Sequence, residues 1–240
     1  MDALIRTESL IGKDALAKLQ NAHIAVIGLG GVGGYALEAL ARAGVGRLTL
    51  IDGDTVAESN LNRQILATVD TVGTPKAMVA KVRVAQIAPQ AQVQAMAEFL
   101  TEQTAETLLS ESFDFIIDCI DDVPAKLLLA EHCREHKIPL LVCCGTGNRL
   151  SSEGLRIANF DKTAGCPLAK KLRTLFKERR FSKLKLLFSD APTAKVEPIE
   201  DSGKRTVGSI SYVPAIAGLK LAEAALTALI DGEEKGYIPK

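Results

Sequence analysis

Short apolar runs alternate with stretches of helical period through the first 144 residues of the chain. The run ending at Ile27 and the runs over 47–51, 92–97, 113–119 and 138–144 predict strands, because each is strand-length and rich in Val, Ile and Leu or alternates in polarity. Apolar positions three and four apart over 9–20, 35–43, 75–88, 103–110 and 123–136 predict helices between and before them. Strand and helix in strict alternation predict an α/β fold, a doubly wound and mostly parallel sheet with its ligand crevice at the carboxyl ends of the strands. The texture changes at Gly145. Strands are expected over 155–160 and 184–188, helices over 167–178 and 209–231, and a mobile loop over 190–207. The chain is therefore read as a single domain over 1–240, with a nucleotide-binding half (1–144) and a C-terminal extension (145–240) on the substrate side.

Chemistry concentrates at the predicted strand ends. The first strand runs into Gly28-Leu29-Gly30-Gly31-Val32-Gly33, where small residues let a phosphate approach the backbone and the next helix presents its positive end. The second ends in Asp52, where such turns place an acid against a ribose hydroxyl. A long polar stretch over 53–73 has no period, which marks a functional loop, and it carries Asn60 and Arg63. Thr74-Pro75-Lys76 reads as a helix start with Thr74 as cap and Pro75 at the first helical position, which sets Lys76 in the first turn facing any bound anion. Asp121 and Asp122 follow the fourth strand.

Composition removes several classes. With 29 basic and 29 acidic residues the net charge is zero, so attraction to nucleic acid must be local, and the absence of Trp argues against a base-stacking platform. No signal-length apolar run stands near the start, and the apolar stretch over 213–230 is broken by Lys220 and Glu223, so a cytoplasmic protein without membrane contact is expected. The five cysteines (Cys119, Cys133, Cys143, Cys144, Cys166) show no C-x-x-C spacing, so neither a disulfide framework nor a zinc site is written here, and they are read as small core residues. Nine Lys and Arg crowd 162–185, among them Lys170, Lys171 and Arg173; a solvated helix face and a contact to nucleic-acid phosphates both fit them.

A glycine turn with a ribose acid serves a nicotinamide-dependent oxidoreductase as well as an ATP enzyme, and that rival of another class stays open. Hydride transfer needs an apolar slot, whereas Asn60, Arg63 and Lys76 suit a triphosphate tail and Asp121 suits the Mg²⁺ that bridges its oxygens. No G-x-x-x-x-G-K-[ST] is present, which excludes a P-loop enzyme. A turn that grips the nucleotide near its sugar suggests attack by a carboxylate at the α-phosphate, with formation of an acyl-adenylate.

The stretches GLGGVG, LIDGDTVAESNLNRQ, VGTPK and DCIDD together resemble the ThiF/MoeB/HesA superfamily, relatives of ubiquitin-activating enzymes. The resemblance implies a Rossmann-like adenylation domain, a homodimer, ATP and Mg²⁺. It puts Gly28, Gly30, Gly31 and Gly33 at the nucleotide turn, Asp52 on the ribose, and Asn60, Arg63 and Lys76 on the phosphates. It further puts Asp121 at the metal, with Asp54 and Asp122 beside these groups. Arg6, in RTESLIG, is similar to an N-terminal arginine that reaches the partner subunit's ATP. DKTAGCPLAKKLR, LLFSD and GSISYVPAIAGLKLAEAAL resemble the tRNA threonylcarbamoyladenosine dehydratase branch. That likeness implies ATP-dependent cyclisation of a threonylcarbamoyl group in modified tRNA with release of AMP, tRNA contact by Lys170, Lys171 and Arg173, a monovalent cation, and a sulfur-relay protein as a further candidate partner. The alternative within the superfamily is adenylation of the C-terminus of a ubiquitin-like sulfur carrier.

Overall fold

In the computed structural model, residues 2–197, 199–201, 204–205 and 207–240 are described. Two short helices, α1 (Ile5–Ile11) and α2 (Lys13–Asn21), lead into β1 (His23–Ile27). Then follow α3 (Gly33–Ala43), β2 (Arg47–Ile51), α4 (Lys76–Ile87), β3 (Gln92–Met96), α5 (Ala105–Leu108), β4 (Phe115–Asp118), α6 (Val123–His136) and β5 (Leu140–Cys143). The second half supplies β6 (Leu155–Asn159), α7 (Pro167–Glu178), β7 (Lys185–Ser189), a two-rung ladder of β8 (Glu200–Asp201) with β9 (Lys204–Arg205), and α8 (Tyr212–Asp231).

Seven strands form one sheet in the order β3-β2-β1-β4-β5-β7-β6, parallel throughout except for the β6–β7 pair. The doubly wound, mostly parallel sheet expected from the alternation is the one found, and β6 and β7 extend it from the second half. Both faces are covered. Ile24, Val26, Phe115, Ile117 and Leu141 pack with residues of α3, α4 and α8, while Ala25, Ile27, Ile116, Leu140 and Val142 pack with residues of α6 and α7. Burial on two faces is why these strands read as continuous apolar runs. It also explains α8, which is apolar and long enough by composition to cross a membrane yet buries Ala217, Leu221, Ala222 and Ala225 against the sheet.

Three expectations shift. The helix expected over 9–20 is two helices, because Gly12 takes φ 83°, a left-handed conformation that an L side chain resists and that turns the chain between them. The helix expected to begin at Pro75 begins at Lys76, with Pro75 in the capping place and no side chain capping it. Within 190–207 the structure places the β8–β9 ladder, and the loop expectation at Pro198, Ser202, Gly203 and Thr206 lies outside the described residues.

Candidate active site

β1 pairs with β2 on one side and β4 on the other, so the chain leaves β1 at the point where the winding of the sheet reverses. Gly28 turns there with φ 88°, and a Cβ on it would lie 2.7 Å from the Cys119 carbonyl carbon and oxygen. Glycine is required by both conformation and space. No side chain caps the N-terminus of α3; the Gly34 N–H is taken by the Gly30 carbonyl at 3.0 Å, and the positive end of the helix, next to cleft-lining Gly31 and Val32, favours an anion there.

A cleft of ≈ 610 Å³ opens over this turn. Gly28, Gly30, Gly31, Asp52, Asp54, Asn60, Arg63, Lys76, Asp121 and Asp122 all line it, brought from four separate strand ends and loops. Gly33 does not line it; it is buried in the first turn of α3. Arg6 lies exposed on α1, outside the cleft of its own chain.

The side chains are held by local structure. Asp52 is nearly buried; one carboxylate oxygen accepts the Leu29 N–H at 2.6 Å and the other the Asp54 N–H at 2.8 Å, so the acid fixes the turn as well as facing the cleft. Burial raises its pKa, against the pull of the Leu29 N–H and Lys76. The polar stretch after β2 is ordered by 3₁₀ turns at Glu58–Asn60 and Val69–Thr71, and Asn60 Oδ1 accepts the Ala57 N–H at 3.1 Å. Arg63 donates from Nη1 to the Ser59 carbonyl at 2.7 Å and to Asn62 Oδ1 at 2.9 Å, and a Cβ on Gly31 would lie 3.5 Å from its Cγ. Lys76 Nζ, on a side chain 7% exposed, meets Asp54 Oδ2 at 2.8 Å, on a side chain 55% exposed. Asp122 caps α6, its Oδ2 accepting the Ala125 N–H at 2.9 Å, while Asp121 stands exposed at the cleft.

Four other lining residues escaped sequence reasoning. Gln64 is buried, and its Oε1 has no partner among the described residues. Phe99, 61% exposed, lies so close to Gly53 that a Cβ there would fall 2.5 Å from the ring. Leu100 and Thr101 line the cleft beside it. The signal was the rule that the crevice gathers every strand end, which applied to the segment after β3 as to the others.

No cluster of three or more His, Cys, Asp or Glu able to hold a metal occurs among the described residues. A lone carboxylate such as Asp121 fits Mg²⁺ that keeps most of its oxygens from substrate phosphates and water. The basic side chains of α7 divide. Lys170 and Lys171 are exposed, but Arg173 is half-buried and donates to the carbonyl and hydroxyl oxygens of Thr163, which ties it to the loop before α7 and weakens its expected role as a tRNA contact.

The model of the ThiF family matches residues 3–239. The chain is similar to the tRNA threonylcarbamoyladenosine dehydratase of Bacillus subtilis (strain 168), at 38% identity over 89% of each chain. It is 42% identical to the protein of that name from Escherichia coli (strain K12), over 71% of this chain and 64% of that one. The crystal structure of the E. coli tRNA N6-threonylcarbamoyladenosine dehydratase in complex with ATP superposes with a TM-score of 0.87 at 34% identity, covering 96% of this chain and 95% of that one.

Proposed function

Because the chain belongs to the ThiF family, we propose that it is an ATP-dependent tRNA threonylcarbamoyladenosine dehydratase, built as one adenylation domain over 1–240. The observation that carries this reading is the cleft itself: two cations, two amides and an exposed acid converge beside an uncapped helix start and a glycine turn. ATP would lie with its phosphates toward α3, Asp52 sharing an oxygen with a ribose hydroxyl, and Asn60, Gln64, Arg63 and Lys76 receiving the phosphate chain. Asp121 and, once Lys76 exchanges partners, Asp54 would hold Mg²⁺, which neutralises phosphate charge when bound.

Two anions must meet in the reaction, a carboxylate and the α-phosphate, and Arg63 and Lys76 remove that repulsion. The threonylcarbamoyl carboxylate attacks the α-phosphorus and pyrophosphate leaves. A nitrogen of the same threonylcarbamoyl group then attacks the activated carbonyl, the C–O bond to AMP breaks, and the nitrogen's proton passes to solvent. Tethering of the nitrogen makes the second step intramolecular, so no enzyme nucleophile is required. Cys119 lines the cleft, but burial pushes its thiol pKa far up, which suits a packing role.

Exposed Lys170 and Lys171 are the remaining candidates for tRNA phosphates on α7. Arg6, outside its own cleft, fits a second copy of the chain placed so that α1 reaches the neighbouring ATP. The family likeness adds a monovalent cation and a sulfur-relay protein as further candidates, and the broken apolar stretch over 213–230 fits a cytoplasmic setting. ATP–pyrophosphate exchange tests the reading: exchange is expected with threonylcarbamoyl-modified tRNA, and exchange supported only by a ubiquitin-like sulfur carrier would replace it with the rival activity. Replacing Arg63 by Ala should lower exchange by on the order of 10²-fold with unchanged thermal unfolding, since the residue sits on a loop.

A further inference from the structure

At the carboxyl ends of β5 and β7, on the same rim of the sheet as the nucleotide cleft but outside its lining, a buried arginine meets the start of a helix. Arg149 is only 3% exposed. Its Nη2 donates to the Gly165 carbonyl at 2.7 Å, while Nε and Nη1, both buried, have no hydrogen-bond partner among the described residues. Gly165 immediately precedes Cys166, the N-cap of α7, so this bond holds the guanidinium at the first turn of a twelve-residue helix. Cys166 in turn donates from Sγ to the Gly145 carbonyl at 3.9 Å, just past the end of β5. No side chain caps α7, and after Pro167, which has no N–H, the Leu168 and Ala169 N–H groups meet no acceptor among the described residues. Two sets of idle donors, one on a cation and one at the positive end of a helix, thus lie side by side.

The surroundings fix Arg149 in this place. Asn148, in the left-handed conformation at φ 56°, accepts the Gly208 N–H on Oδ1 at 2.7 Å and the Ala194 N–H on its carbonyl at 2.8 Å, which pins the turn that carries Arg149. Asp190, whose Cα would lie 2.8 Å from a Cβ on Gly165, spends its Oδ2 on Arg156 Nε at 2.7 Å. A guanidinium held out of water with idle donors is costly, and an anion that accepts from it removes much of the cost.

We propose that Arg149 and the first turn of α7 bind a small tetrahedral oxyanion of the phosphate or sulfate class, at a site separate from the nucleotide cleft. Donors from a guanidinium and from two successive backbone amides approach from different directions, which suits several oxygens arranged around one centre better than a planar carboxylate. Burial sets the size of the ligand: a guanidinium beneath the surface is out of reach of a phosphate held in a nucleic-acid backbone, whereas a free ion can enter. The chain over 144–154 and over 190–197 contains no strand or helix that must break to admit it. Bound there, the ion joins the loop after β5 to α7.

The test saturates the full chain with ATP in the presence of EDTA, so that the nucleotide cleft is occupied, and titrates sodium phosphate at constant ionic strength by isothermal calorimetry. One phosphate per chain is expected, displaced by sulfate and not by an equal concentration of chloride. At phosphate tenfold above its Kd, the thermal unfolding midpoint of the same complex should rise by about 3–6 °C. Arg149→Met keeps much of the packing of the side-chain stem and should weaken phosphate binding at least tenfold and abolish the rise. Wild-type crystals grown without oxyanions and soaked in selenate give a readout that needs no variant: an anomalous peak within hydrogen-bond distance of Arg149 Nε or Nη1 is expected. Phosphate binding that is absent or lost on ATP saturation, binding unchanged in folded Arg149→Met, or selenate found only elsewhere would overturn the proposal.

Discussion

Two lysine–aspartate pairs of nearly equal length sit on either side of the crevice, and they behave differently. Lys76 meets Asp54 at 2.8 Å at the cleft, with the acid more than half exposed. Lys126 meets Asp118 at 3.0 Å in the core between β4, α6 and β5, with neither side chain exposed at all. An exposed acid releases its lysine at little cost, since water solvates the carboxylate once the pair opens, so Lys76 can exchange Asp54 for a phosphate. Lys126 cannot exchange partners. Its Nζ also donates to the Cys143 carbonyl at 2.7 Å, and Asp118 Oδ1 also accepts the Ile120 N–H at 2.9 Å, so the pair joins β4, β5 and the segment that leads to Asp121. Burial raises the Asp118 pKa; burial works to lower that of Lys126, but the Asp118 charge and hydrogen bond together with the neighbouring Cys143 and Cys144 outweigh it and the pKa rises. Equal geometry thus gives a removable contact in one place and a structural one in the other, and burial decides which.

The contrast can be broken from the buried side first. Lys126→Met leaves the Asp118 charge unpaired and should cost about 3–5 kcal/mol in urea unfolding at neutral pH. That cost should shrink as pH falls toward the raised Asp118 pKa, because protonation of the native acid removes the charge; a cost independent of pH would mean that lost packing, not charge, dominates. Asp118→Asn combined with Lys126→Met removes both charges while keeping an acceptor for Ile120, and should regain most of the lost stability. At the cleft, Lys76→Met should leave stability within about 1 kcal/mol of wild type and lower pyrophosphate exchange by on the order of 10²-fold. Smallest of all, Asp54→Asn should move stability by no more than about 0.5 kcal/mol and should not weaken ATP binding measured calorimetrically without Mg²⁺. A large stability loss at Lys76 or a large activity loss without instability at Lys126 would reverse the assignment of the two pairs.

Much of the site was readable because its signals are local. Glycines at a strand end, an acid at the next strand end and a lysine in the first turn after Pro75 are each defined within a few residues, and the cleft collects them from the places the pattern indicated. Asp122 shows the limit of that reading: two adjacent acids look alike in a string, but only one of them reaches back to cap α6. Arg173 shows it again, since its helical position marked a basic face while its actual partner is Thr163, ten residues earlier in a loop. Gln64 stood in the quoted stretch LIDGDTVAESNLNRQ and passed unremarked, because an unpaired buried amide is visible only once its surroundings are known.

The amino-acid order alone determined the succession of strands and helices, the doubly wound parallel arrangement and the crevice where the polar residues gather, because hydrophobic period and turn chemistry act over a few neighbouring positions. Tertiary structure alone decided which ionic groups are solvated and which are sealed, that Lys126 pairs with Asp118, and that Arg173 turns to Thr163. Those outcomes depend on burial and on distances between elements far apart in the chain, and the strength of a charge or a thiol follows from that environment rather than from its identity.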